Sequence, residues 1–138
     1  MNTNDIAEQI ALLMPKIGRR ILLEFFQSVD ISQTQLLTIM ALYESEQCSF
    51  SDLSQRMGIT PPTVTGLIDR LEKSGYAKRV PSATDRRVIH IELTGKGVKI
   101  AKKFRSSVKK RWKTILDRMP RRDAEAFLKT TQKIEELL

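Results

Sequence analysis

Cysteine and histidine are nearly absent from this chain of 138 residues, which has one of each, Cys48 and His90. One cysteine excludes an internal disulfide, and a lone histidine leaves no Cys/His cluster with metal-ligand spacing. The two stand far apart in sequence, so no nucleophile–base pair is legible and no catalytic residue or enzyme activity is expected. There is no P-loop, no dinucleotide fingerprint and no HExxH, so neither a cofactor nor a metal is expected. No apolar run approaches the length of a spanning helix, which argues against a membrane protein. The start, Met1-Asn2-Thr3-Asn4-Asp5, is polar and acidic where a signal peptide needs basic residues and then an apolar stretch. The expected address is the cytoplasm.

What is present is positive charge. The formal net charge is +8, with hydrophobic residues at 41%, enough for a core. Such a balance favours a polyanionic partner, because neutralising phosphates releases condensed counterions. The length suits one domain, residues 1–138, with helical extensions around a DNA-reading region.

The stretch from Ser49 to Gly97 is the most specific. Ser49 with Asp52 three residues on fits a capping box opening a short helix through Met57, and Gly58 supplies the left-handed stop. Thr60 then caps a second helix with Pro61 in its first turn. Val64, Leu67, Ile68 and Leu71 form its inward face, leaving Pro62, Thr63, Thr65, Gly66, Asp69 and Arg70 on other faces. Threonine hydroxyls and methyls suit phosphates, base edges and thymine methyls, and an arginine suits a phosphate or a guanine. After Lys73-Ser74-Gly75, residues Tyr76 to Val80 and Val88 to Leu93 read as two strands of a hairpin whose tip follows Pro81. There Asp85 precedes Arg86 and Arg87, an arrangement in which the carboxylate would hold one guanidinium while the other enters a minor groove. The order describes a winged helix-turn-helix, which offers one helix to a major groove and a basic hairpin to the DNA beside it. His90 reads as a surface residue of the wing.

The flanks read as helices. Ile6, Ile10, Leu13, Met14, Ile17, Ile21 and Phe25 form a stripe interrupted by Pro15, which should bend the first helix or end its first segment. Leu22, Leu23 and Phe26 widen the stripe beyond one core face, as a partner subunit would require. Ser32 is the expected cap of a buried helix carrying Leu36, Leu37, Ile39, Met40, Leu42 and Tyr43. Thr94 opens a long helix to about Met119, roughly 39 Å at 1.5 Å per residue. Its basic residues are Lys96, Lys99, Lys102, Lys103, Arg105, Lys109, Lys110, Arg111 and Lys113; Lys96 and Lys99, near the wing, are candidate phosphate contacts. Pro120 stops it, and Asp123 to Leu138 forms a last helix with Ala124, Phe127, Leu128, Ile134, Leu137 and Leu138 inward. The fold class expected is mainly α, with a small β-hairpin wing.

Thr60-Pro61-Pro62-Thr63-Val64-Thr65, Leu67 through Tyr76, Asp85-Arg86-Arg87 and Leu93-Thr94-Gly95-Lys96-Gly97 together resemble the MarR family of bacterial and archaeal transcription regulators. The likeness is strongest over residues 32–104. It implies a triangular homodimer, with residues 1–29 and 105–138 as the helical dimerisation region and two winged units facing a palindromic operator. It implies recognition contacts from Pro62, Thr63, Thr65, Gly66 and Arg70, and a minor-groove role for Arg87 supported by Asp85. It also implies a repressor released by a small aromatic or phenolic effector. The peroxide-sensing branch carries a cysteine near the start of its first helix, which this chain lacks, so Cys48 is expected to be a packing residue. Two other readings fit the charge: an architectural or weakly specific DNA-binding protein, and a protein-interaction module using the basic long helix.

Overall fold

The computed structural model describes residues 1–138. Its elements are α1 (Thr3–Ser28), α2 (Gln33–Tyr43), β1 (Cys48–Ser49), α3 (Phe50–Met57), α4 (Pro61–Lys73), β2 (Ala77–Pro81), β3 (Ile89–Leu93), α5 (Gly95–Leu116) and α6 (Arg121–Leu137). They fall into two units, residues 26–105 and residues 1–25 with 106–138.

In the 26–105 unit, local chemistry sets each helix start. The Ser32 hydroxyl accepts from the Gln35 N–H at 3.1 Å, and the Gln35 side chain accepts from the Ser32 N–H at 3.0 Å. Ser49 and Asp52 repeat this capping box at the start of α3, at 3.1 and 3.0 Å. Gly58, at φ +64°, ends α3 in the left-handed conformation that a side chain would disfavour. Around these caps, Leu36, Ile39, Leu42, Leu53, Val64, Leu67, Ile68, Leu71 and Ile91 are buried as one apolar core. Thr38 is buried with them, its hydroxyl satisfied by the Thr34 carbonyl at 2.8 Å.

The sheet has three antiparallel strands in the order β1-β3-β2, with Ile91 opposite both Cys48 and Arg79. The hairpin β2–β3 was legible; the two-residue β1 was not. The corner after β3 is locked against the turn that follows α4. The Thr94 N–H donates to the Tyr76 carbonyl at 3.0 Å, and the Thr94 hydroxyl accepts from the Gly97 N–H at 3.2 Å. A Cβ on Gly97 would lie 2.2 Å from the Tyr76 carbonyl oxygen, so only glycine permits this approach.

In the other unit, Trp112 and Phe127 bring α5 and α6 together with ring centroids 5.3 Å apart, and Ile21 and Phe25 of α1 are buried. Several expectations are corrected here. Helix α1 runs unbroken through Pro15, which is exposed and costs one backbone hydrogen bond, so it ends no segment. Helix α5 stops at Leu116, three residues short of Met119, and α6 begins at Arg121, directly after Pro120. None of the residues assigned inward on α6 is buried in the single chain, and Leu128 is 59% exposed, as a face that needs a partner's helices for cover would be. The same holds for Ile6, Ile10, Leu13 and Met14 on α1, and Leu37 of α2 is also exposed. An apolar stripe reports that a face seeks cover, not which chain supplies it.

Candidate nucleic-acid interface

Helix α4 divides by its 3.6-residue period. Val64, Leu67, Ile68 and Leu71 are buried, which turns Pro62, Thr63, Thr65, Asp69 and Arg70 to the exterior and leaves Gly66 half-buried. Pro61 and Pro62 have no amide hydrogen, so Thr63 carries the free backbone donor of the first turn. The Thr60 side chain makes no capping bond to the backbone; its hydroxyl pairs with that of Thr63 at 2.8 Å. The Thr65 hydroxyl donates to the Pro61 carbonyl at 3.2 Å, leaving its oxygen as an acceptor. Arg70 donates through Nε to the Gly66 carbonyl at 3.2 Å, which orients the guanidinium of this exposed side chain. A Cβ at Gly66 would sit in ordinary van der Waals contact with Arg70 Nη2, at 3.7 Å, so that pose does not itself require glycine.

The wing tip is held by its own backbone. The Ser82 N–H donates to the Val88 carbonyl at 2.9 Å and the Val88 N–H to the Asp85 carbonyl at 3.1 Å. Ser82 is buried, and its hydroxyl accepts from the Thr84 and Asp85 N–H groups at 3.3 and 3.4 Å. Asp85 does not grip a guanidinium, contrary to the reading from sequence. Its Oδ1 accepts from the Arg87 backbone N–H at 2.9 Å, two residues on, the geometry of an Asx turn. Arg86 and Arg87 are exposed and take part in none of the ion pairs.

Arg79 was missed. From β2 its guanidinium forms ion pairs with Asp69 and Glu72 of α4, and it lies over the Phe50 ring 5.4 Å from the centroid. The hydrogen bond to Asp69, followed by the charge of Glu72, holds its pKa above the ordinary arginine value. Arg79 therefore ties the first wing strand to the helix bearing the outward threonines. The available signal was the Asp69–Glu72 pair, spaced i, i+3, with an arginine just past the glycine turn.

Lys96 donates to the Ser74 carbonyl at 2.8 Å, capping the end of α4, and its ammonium lies 4.5 Å over the Tyr76 ring. Lys99 is exposed with no such anchor. Arg105 stacks on Tyr43 at 4.8 Å and sits 4.0 Å from Glu44. His90 is half-buried on β3, opposite Ser49 and Val80. Cys48 is buried, and desolvation, reinforced by the charge of Asp52, raises its thiol pKa, which suits a packing residue. The Asp52 carboxyl is held below its ordinary 3.8, first by the Ser49 backbone N–H. No group of three or more His, Cys, Asp or Glu is placed to hold a metal ion, and no helix is long and apolar enough to cross a membrane.

The family model described as MarR family matches residues 31–89, from just before α2 to the first residue of β3. An uncharacterized HTH-type transcriptional regulator of Bacillus subtilis, YfiV, is 39% identical over 75 residues, 54% of this chain and 47% of the relative. The chain thus spans about half the length of the curated relatives it matches. Among solved structures, a MarR family protein from Bacillus stearothermophilus superposes with a TM-score of 0.83 at 24% identity, covering 99% of this chain and 96% of the other. Streptococcus pneumoniae FabT, solved in complex with DNA, superposes with a TM-score of 0.80 at 26% identity, with the same coverage.

Proposed function

We propose, from the premise that this chain is a MarR-family winged-helix protein, that it regulates transcription by binding double-stranded DNA sequence-specifically. The observation that carries this reading is the outer face of α4. Thr63, Thr65 and Arg70 face outward from a helix whose opposite side is fully buried, with the guanidinium already oriented by the Gly66 carbonyl. Such a face places hydrogen-bonding groups and methyls where a major groove presents base edges. Pro62 and Gly66 allow close approach, and Thr60 flanks the contact. Arg86 and Arg87, on a tip braced by Asp85, supply the adjoining wing contact, and Lys99 a phosphate contact beside it. Lys96 acts first as a helix cap. The DNA seen with FabT supports the reading by likeness.

The working form in this proposal is a homodimer acting as a repressor on a palindromic operator. Its half-sites would lie about one helical turn apart, roughly 10 base pairs. The exposed apolar faces of α1 and α6 support a dimer; the family likeness supports a repressor and an aromatic or phenolic effector. Selection from randomised duplex DNA at near-physiological salt, followed by sequencing of the bound pool, tests the core of it. A two-fold symmetric consensus is the expected result. A flat pool with steeply salt-dependent binding would replace sequence-specific regulation by charge-driven, architectural binding.

A further inference from the structure

The unit formed by residues 1–25 and 106–138 contains a depression of about 300 Å³ that the DNA-reading proposal does not use. Arg20 and Ile21 of α1 line one side, and Arg111, Thr114, Ile115 and Arg118 the other. Three of the six lining residues are arginines, and none is acidic. Arg20 and Arg118 take part in no ion pair, and Arg111 forms a long one with Glu24, at 4.0 Å. The other acid nearby in sequence, Asp117, is held by Lys113 at 2.6 Å. Ile21 is buried at the base, and Ile115, which is 37% exposed, adds apolar surface to the wall. The Thr114 hydroxyl donates to the Lys110 carbonyl at 3.1 Å, so only its oxygen remains for a ligand.

We propose that Arg20, Arg111 and Arg118 form a binding site for a small, multiply charged anion bearing phosphate or several carboxylate groups. Three guanidinium groups around one depression repel each other, and a ligand with two or more negative charges removes that repulsion while accepting paired N–H bonds from each fork. A monoanion leaves positive charge uncompensated. The volume suits a small molecule. Arg111 lies in the last turns of α5 and Arg118 in the turn that follows the helix, and both line the depression across from Arg20. The site is independent of the DNA proposal and is tested without DNA.

The probes are inorganic pyrophosphate and citrate, titrated separately into the full chain by calorimetry, with thermal unfolding as a second readout. One of them is expected to bind saturably with one site per chain and to raise the unfolding temperature. The stronger of the two identifies phosphate or polycarboxylate as the ligand chemistry. Arg118→Gln, in the exposed turn after α5, and Arg20→Gln should each weaken binding by about tenfold or more, as loss of a bidentate charged contact does. Lys109→Gln, on the same helix outside the site, should leave it unchanged. Absence of saturable binding by either probe overturns the proposal. So does an equal loss in Lys109→Gln, because diffuse positive charge would then account for the signal.

Discussion

Arg79 on β2 forms an ion pair with Asp69 on α4, joining the wing to the helix with the outward threonines and Arg70. Glu72, one turn further along α4, holds the same guanidinium, and the Phe50 ring lies beneath it. The Arg79 side chain is 30% exposed, so solvent screens part of the attraction. Replacing it with methionine should cost about 1 kcal/mol of unfolding free energy in urea titrations. DNA affinity should fall too, although no DNA-facing group has been removed. Arg79→Lys should recover only part of both losses, because one ammonium cannot serve two carboxylates as a planar fork does. Parent-like affinity in Arg79→Met would mean that wing and helix do not need this bridge.

Asp85 and Arg87 separate by a similar logic. Arg87→Ala should weaken binding to a selected operator by about 1–3 kcal/mol if the guanidinium reads a groove. Asp85→Ala removes only the acceptor that shapes the loop, so its loss should be smaller. The informative variant is Asp85→Asn, whose amide oxygen still accepts from the Arg87 N–H, and parent-like affinity is expected. If Asn were as damaging as Ala in fluorescence-anisotropy titrations, the charge of Asp85 would matter and the backbone account would be wrong.

These two sites show where reading the sequence stops. The inward set of α4 and the Ser49–Asp52 box follow from period and local bonding, which neighbours along the chain determine. Asp85 two residues before Arg87 is different, because the spacing permits a bond to either the guanidinium or the amide. Arg79 needed β2 folded back on α4 before its partners could be named. Strand β1 is two residues that pair with β3 through backbone groups, which carry no side-chain signal. On α6 the stripe gives the apolar face, but periodicity cannot name the chain that covers it.

The Asp52 carboxyl has a pH consequence. Its folded pKa is depressed below 3.8, chiefly by the Ser49 N–H, so the charged form is the one the capping box favours. The unfolded chain binds that proton at a higher pH than the folded one. Asp52 therefore contributes stability that is fully present above its ordinary value and is lost as pH falls through the depressed folded value. Urea unfolding from pH 7 down to about pH 2 should show the parent losing an advantage over Asp52→Asn within that acid window. A constant gap between the two across the whole range would remove the carboxylate charge from the capping account.

The last prediction concerns the faces left bare in the single chain. Ile10 of α1 is 48% exposed and Leu128 of α6 is 59% exposed, within stripes that continue through Leu13, Met14, Ile134 and Leu137. Rows of apolar side chains on two helices of one unit exceed what isolated surface residues would explain, and a second copy offers matching rows. Ile10→Glu and Leu128→Glu should therefore shift sedimentation-velocity profiles from dimer to monomer while far-UV circular dichroism stays unchanged, because these side chains contribute little to the single chain's own core. Affinity for a palindromic duplex should fall more steeply than affinity for one half-site, since each winged unit loses the effective concentration its partner provides. A dimer that survives both substitutions would place the interface elsewhere and leave these faces for a different partner.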